Sequence, residues 1–205
     1  MLKIYGPARS RAFRVIWLCK ETGIPYEHIP ITIHVDGAQC KEPWYLALNP
    51  NGRVPTIDDD GFVMWESAAI NLYLAEKYRS PLWPADSGGR ARMLQWAFFV
   101  ASDVEKSLII VLRNRVMLPP EERDAALADE HDRLLRPKLA ILDGALASQP
   151  YFGGPAWTMA DFMVASVCYT LVPTKYDLAA FPHFRPWLLA SIERPMAKEA
   201  RKLRE

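Results

Sequence analysis

Cysteine is scarce. The 205-residue chain carries only Cys19, Cys40 and Cys168, far apart and without a Cys-x-x-Cys pair. An odd, scattered set of thiols argues against a disulfide framework or a zinc knuckle, so reduced thiols are expected. Net charge is nearly absent too, since 25 Lys and Arg against 24 Asp and Glu leave +1. Such a chain has no global field to draw it onto nucleic acid or an anionic membrane, and neither is expected as a partner. Long apolar runs are missing: stretches such as Leu108 to Leu112 stop far short of the ~20 residues a helix needs to span a bilayer. Arg9, Arg11 and Arg14 interrupt the place where a signal peptide needs an unbroken apolar segment, which makes the cytoplasm the expected address. There is no Gly-x-Gly-x-x-Gly, Walker A or Gly-x-Ser-x-Gly pattern, so a phosphate-cradling loop and a hydrolase nucleophile elbow lack support. His28, His34, His131 and His183 form no His-x-x-x-His pair, and no metal site is expected.

What is present is a globular balance, half apolar and 24% charged, which excludes disordered and low-complexity classes. Leu2 to Tyr5 alternates like a strand, and after Pro7 the residues Ala12, Phe13, Val15, Ile16 and Cys19 recur at helical spacing up to Gly23. Tyr26 to Ile33 alternates again, with Ile29, Ile31 and Ile33 on one face, and 34–50 is polar and irregular. Pro55 to Ile57 and Phe62 to Met64 flank an Asp60-Gly61 pair, a hairpin signal. A helical stripe runs from Ser67 to Tyr78. Residues 1–78 therefore read as β-α-β followed by β-β-α, and the Pro- and Gly-rich stretch 79–89 as a linker.

From residue 90 to 205 no alternating segment appears, and this part reads as an all-α bundle. Met93 to Leu112 has the spacing of one long helix. Pro119-Pro120-Glu121-Glu122 marks the start of a second, which Pro137 should kink or interrupt. Thr158 to Asp161 has the form of a capping box, with Trp157 and Phe162 as its hydrophobic staple. Two short helices broken by Pro186 and Pro195 complete the pattern.

Chemistry concentrates in three short segments near the beginning. Ser10 sits between a strand end and a helix start, where its hydroxyl either caps the helix or donates to an anion that the helix terminus also favours. Asn49-Pro50-Asn51-Gly52-Arg53-Val54-Pro55 leads into a strand at Pro55. A trans bond there simply opens an edge strand, whereas a cis bond turns the Val54 N–H and C=O toward an extended peptide. Glu66-Ser67 precedes a helix and serves either as its cap or as a clamp for an amino-acid head group, with Ser67 on the carboxylate and Glu66 on the ammonium.

The order of Ser10, then Lys41-Glu42-Pro43-Trp44-Tyr45-Leu46-Ala47-Leu48 running into the 49–55 segment, then Glu66-Ser67-Ala68-Ala69-Ile70, resembles the glutathione S-transferases. The likeness is to serine-type, bacterial or phi/theta-like cytosolic members and covers nearly the whole chain. It implies a thioredoxin-like N-terminal domain at 1–78, a linker at 79–89 and a helical domain at 90–205 that contributes the electrophile pocket. It further implies a cis Val54–Pro55 bond, the Val54 backbone paired with the cysteinyl unit of glutathione, Glu66 and Ser67 on its γ-glutamyl end, and Lys41 and Arg53 facing its glycine carboxylate. Glutathione is then the co-substrate, no metal is needed, the partner is a small hydrophobic electrophile, and the assembly is a homodimer.

A free thiol titrates near pH ~8.5, so such an enzyme must stabilise the thiolate at neutral pH. Ser10 is the candidate donor. Tyr5, at the strand end where tyrosine-type relatives carry their donor, is the alternate. Cys19 lies inside the apolar pattern of the first helix and reads as core, which disfavours exchange chemistry on a protein cysteine. Arg9 is either a solvated loop residue or a cation that favours anionic electrophiles, and the resemblance offers Asp103 as a further contact to the γ-glutamyl ammonium. Conjugation of electrophiles is the leading reading; a noncatalytic binding protein of the same fold and a glutathione-dependent isomerase or dehalogenase are the alternatives.

Overall fold

The computed structural model describes residues 1–33 and 37–204. His34 and the start of the polar stretch at 34–50 therefore fall outside the described residues. In chain order the elements are β1 (Leu2–Tyr5), α1 (Ala12–Thr22), β2 (Tyr26–Ile29), α2 (Pro43–Leu48), β3 (Thr56–Asp59), β4 (Phe62–Trp65) and α3 (Ser67–Lys77). There follow α4 (Ser87–Phe99), α5 (Glu105–Leu112), α6 (Ala125–Leu146), α7 (Met159–Cys168), α8 (Phe184–Ile192) and α9 (Pro195–Lys202). The chain divides into two compact units, one built from residues 1–83 together with 194 onward, the other from Pro84–Glu193.

The first unit is a four-stranded mixed sheet in the order β2-β1-β3-β4. β1 runs parallel to β2 and antiparallel to β3, which pairs antiparallel with β4. The β3–β4 turn places Asp60 at φ 53° and Gly61 at φ 92°, two successive left-handed residues of the kind a tight hairpin requires. β2 ends at Ile29 rather than Ile33, because Pro30 has no N–H for a ladder. The apolar face continues all the same, and Ile31 joins a cluster with Tyr5, Ala38, Cys40 and Tyr45.

Residues Ala12 to Cys19 of α1 are all buried, and a helix buried all round needs cover on every side. β1, α3 and α9 provide it. The left-handed Gly23 closes the helix with its N–H on the Cys19 carbonyl. Two features depart from the sequence reading. The segment read as irregular contains the short helix α2, which Pro43 opens at a first-turn position where a missing N–H costs nothing. The residues from 194 onward, read with the helical part, pack with the first unit.

The second unit is helical. From Ser87 to Met117 the backbone stays helical, with widened turns at Val100–Val104 and Arg113–Met117 between and after α4 and α5. Asp86 starts α4 by accepting the Gly89 N–H at 2.9 Å, so helix begins inside the stretch read as linker. Pro120–Glu122 forms only a separate short turn. The start of α6 falls later, where extended Asp124 accepts the Leu127 N–H at 2.9 Å. Pro137 does not break α6. Its ring is exposed, as is Arg133, whose carbonyl loses a partner to solvent, while Leu135, Leu139, Leu142 and Leu146 keep the other face buried. Pro186 likewise sits in the first turn of α8 without ending it. α7 is buried throughout and opens with the Thr158–Asp161 capping box, against which Trp157 and Phe162 meet edge to face at 6.3 Å.

Candidate functional site

The sheet register gathers the three segments. Tyr5 pairs with Ile29 on one side and Thr56 on the other, and Thr56 pairs with Trp65. These four residues form one row at a single end of the sheet. The loop after β1, which carries Ser10, the turn that precedes β3, and the Glu66-Ser67 step after β4 all leave the sheet from that row.

Close packing ties the loops together. Gly6 has φ +132°, and a methyl group built on it would stand 2.9 Å from the Val54 Cβ and 3.1 Å from the Ala12 Cβ. The strand end, the start of α1 and Val54 are thus in direct contact through a position that only glycine can occupy. His28 Nε2 lies 2.8 Å from the Gly6 carbonyl and braces the same bend. A methyl group on Gly52, at φ +56°, would stand 2.8 Å from the Lys41 Nζ and 2.9 Å from the Cys40 carbonyl oxygen. Lys41 therefore lies against the turn that carries Arg53 and Val54.

Buried Asn49 shapes that turn. It donates from Nδ2 to the Arg53 carbonyl at 2.9 Å and to Thr56 Oγ1 at 3.1 Å, and its Oδ1 accepts the Asn51 N–H at 3.1 Å. The Tyr45 hydroxyl, on α2, donates to the same Arg53 carbonyl at 2.6 Å. The Val54–Pro55 peptide is cis. Gly6, His28, Tyr45 and Asn49 are positioning residues, a role that the sequence reading gave to none of them. Gly6 directly after a strand and the Asn-Pro-Asn-Gly run were the available signals.

Ser10 is half-buried. Its hydroxyl donates to the Pro7 carbonyl at 2.7 Å and accepts the Ala12 N–H at 3.1 Å, so it caps the first turn of α1 while its proton is held by the loop. Tyr5 lies in the cluster beneath α2, with its ring 6.3 Å from those of Trp44 and Tyr45. Burial raises its hydroxyl pKa above the ordinary tyrosine value. Glu66 adopts φ 76°, ψ 106°, a conformation that costs a non-glycine residue of the order of 1–3 kcal/mol. It makes no side-chain cap to α3, and Ser67 is the first helical residue rather than the cap. The capping role open to both residues is not the one they take. Lys41, Arg53 and Glu66 are exposed, Val54 half-buried and Ser67 buried.

Asp103 belongs to the second unit. It accepts from Ser102 Oγ at 2.7 Å and pairs with Lys138 at 3.4 Å, and these partners hold its carboxyl below the usual range. Cys19 is buried, and loss of solvent pushes its thiol up to about 12. Among the described residues no cluster of three or more His, Cys, Asp or Glu is placed to hold a metal ion, and no helix is long and apolar enough to cross a membrane.

A thioredoxin-like sheet unit, with three loop segments gathered at one sheet end, accompanied by an all-helical unit, defines the class. Residues 9–77 match the glutathione S-transferase N-terminal domain and residues 107–195 its C-terminal domain. The chain is 32% identical over 216 residues to glutathione S-transferase-like protein gedE of Aspergillus terreus, covering 97% of this chain and 93% of that one. It is 30% identical over 210 residues to glutathione S-transferase GstB of Escherichia coli, covering 97% of each. A theta class glutathione S-transferase from Xanthomonas axonopodis pv. citri, solved with glutathione bound, superimposes with a TM-score of 0.89 at 30% identity, covering 97% of this chain and 96% of that one. The chain belongs to the glutathione S-transferase family of enzymes.

Proposed function

We propose that the segments leaving this end of the sheet bind glutathione extended and that Ser10 stabilises its thiolate for attack on a small hydrophobic electrophile. The observation that carries this reading is the register Tyr5–Thr56–Trp65, which sends the Ser10, Val54 and Glu66-Ser67 segments off one sheet end. Glutathione offers an ammonium and carboxylate at its γ-glutamyl end and a second carboxylate at glycine. Glu66 and Ser67 at the uncapped start of α3 match the first pair, with helix N–H groups adding to the hold on the carboxylate. Lys41 and Arg53 match the second, and the Val54 main chain pairs with the cysteinyl unit between them.

In this scheme Ser10 turns its O–H from the Pro7 carbonyl to the sulfur. It gives up a neutral hydrogen bond of net worth about 1 kcal/mol for one to an anion worth about 1.5–3 kcal/mol. The thiol proton leaves to solvent, and a sulfur lone pair forms the new S–C bond. The displaced electrons leave with a departing anion or, in an addition, end on the neighbouring atom, which takes up a proton. The helical unit supplies the electrophile's pocket, two chains form the homodimer, and the cytoplasm is where the enzyme works.

Ultraviolet difference spectra of bound glutathione against pH test the assignment. The unaltered protein and Tyr5→Phe should show a thiolate well below the pH at which free glutathione ionises, and Ser10→Ala should move it upward by about one to two units. Loss of the signal in Tyr5→Phe alone would transfer the role to Tyr5. No early thiolate in the unaltered protein would favour a noncatalytic binding protein of this fold.

A further inference from the structure

Arg9 immediately precedes Ser10 and is an exposed residue of the loop between β1 and α1. Its Nε donates to the main-chain carbonyl of Arg204, just beyond α9. That carbonyl lies past the end of the helix, outside its hydrogen-bond ladder, and a charge-assisted bond from a guanidinium is a strong partner for it. The Arg204 guanidinium in turn lies at 5.0 Å over the ring of Phe13, the second residue of α1. At the other end of the same helix pair, Arg194 Nε donates to Glu21 Oε1 at 2.7 Å, and Glu21 also accepts from Trp17 Nε1 at 3.2 Å. α9 is therefore fastened along α1 at both ends, and one fastening grips the loop that holds the hydroxyl. Within that loop the Ser10 N–H bonds to the Pro7 carbonyl at 2.9 Å, a bond that stays in place when the hydroxyl turns to the sulfur, so a shift of residues 7–9 carries the Ser10 backbone with it.

We infer that Arg9 is a positioning residue for Ser10, locked by the Arg204 carbonyl, and that the segment following α9 thereby sets the aim of the hydroxyl at the glutathione sulfur. The inference rests on the thiolate-stabilising role proposed for Ser10.

The test compares the pH titration of bound glutathione in the unaltered protein, Arg9→Met, Arg204→Ala and the double variant, with thermal melting to confirm that each is folded. Arg204→Ala keeps the charge of Arg9 and removes the side chain that lies over Phe13, so it separates positioning from a direct field on the sulfur. Each single variant should raise the bound thiol's pKa by roughly half a unit to one unit, a three- to tenfold loss of thiolate at fixed pH. The dissociation constant for glutathione should stay within about twofold, as expected for residues that act on the aim of Ser10 and not on the peptide. The double variant should go no further than the larger single one, as expected for two parts of one lock. An effect of Arg9→Met without one of Arg204→Ala, or additive effects, would overturn the inference in favour of a charge effect. No effect of either would overturn it outright. An absent thiolate in the unaltered protein would instead remove the role of Ser10 itself, and this inference with it. Arg9→Gln, which keeps a polar surface, replaces Arg9→Met if that variant melts early.

Discussion

Asn71 is fully buried on α3, and neither its amide nitrogen nor its amide oxygen has a hydrogen-bond partner. An unmet buried polar group costs about 1–3 kcal/mol, so Asn71→Leu, of similar volume, should raise the urea midpoint of unfolding. A lower midpoint would show that an internal water satisfies the amide. Gly6 stands at the other extreme. With φ +132° and the Val54 Cβ 2.9 Å from any added methyl group, Gly6→Ala should displace the cis-proline turn. Glutathione binding should weaken by about tenfold or more and stability should fall by about 1–3 kcal/mol; a binding isotherm and a melt that both match the unaltered protein would refute this. The cysteines give a third residue-level outcome. All three are buried, and Cys19 is pushed up to about 12, so a thiol-reactive dye should label none of them in the folded protein within minutes and all three in denaturant. Rapid native labelling of one thiol would show that its cover opens.

Among the elements, the β3–β4 hairpin and α3 are joined by one carboxylate. Asp59, buried at the end of β3, accepts from the Tyr73 hydroxyl at 3.0 Å, Lys77 Nζ at 2.6 Å and the Tyr78 hydroxyl at 3.1 Å. Burial pushes its carboxyl pKa up, but the hydrogen bonds from Lys77, Tyr73 and Tyr78 outweigh that, and the net displacement is downward. A carboxyl whose folded pKa lies below its unfolded value of ~3.9 contributes stability above that value and loses it as the pH falls through the folded one. Asp59→Asn should therefore be less stable than the unaltered protein near neutrality, and the gap should narrow below about pH 4. Urea midpoints from pH 7 down to pH 2.5 measure it, and a gap independent of pH would mean that the carboxylate charge contributes nothing.

The elements legible in the sequence are those whose signals are local. Asp60-Gly61 specifies its turn by backbone conformation, Gly23 ends α1 by taking the left-handed position, and Thr158 and Asp161 cap α7 through their own hydrogen bonds. The misread elements depend on surroundings. α2 is six residues long, too short for periodicity to show. Pro137 continues a helix because its outward face can be hydrated while four leucines hold the inward one. At the site, residue order was readable, yet Tyr45 and Asn49 converge on the Arg53 carbonyl only once α2 exists to aim them. Ser67 reads as a cap from its type, and the strained backbone of Glu66 displaces it from that place.

At the scale of the molecule, the first unit is made from two separated stretches, 1–83 and 194 onward. The second stretch covers α1, whose residues Ala12 to Cys19 are otherwise wholly apolar-packed or buried. No periodicity in the last residues announces this partner, because an amphipathic helix shows which face it buries and not against what. The arrangement also orders events during synthesis. A ribosome emits the sheet, α1 and α3 long before α9, and translation proceeds at about 5–20 residues per second. For the several seconds in which residues 84–193 are being made, the nascent first unit has one flank of α1 open and Arg9 without its bond to the Arg204 carbonyl. The cover of α1 is thus completed only after the helical unit has been made, which makes closure of the first unit one of the last steps of folding.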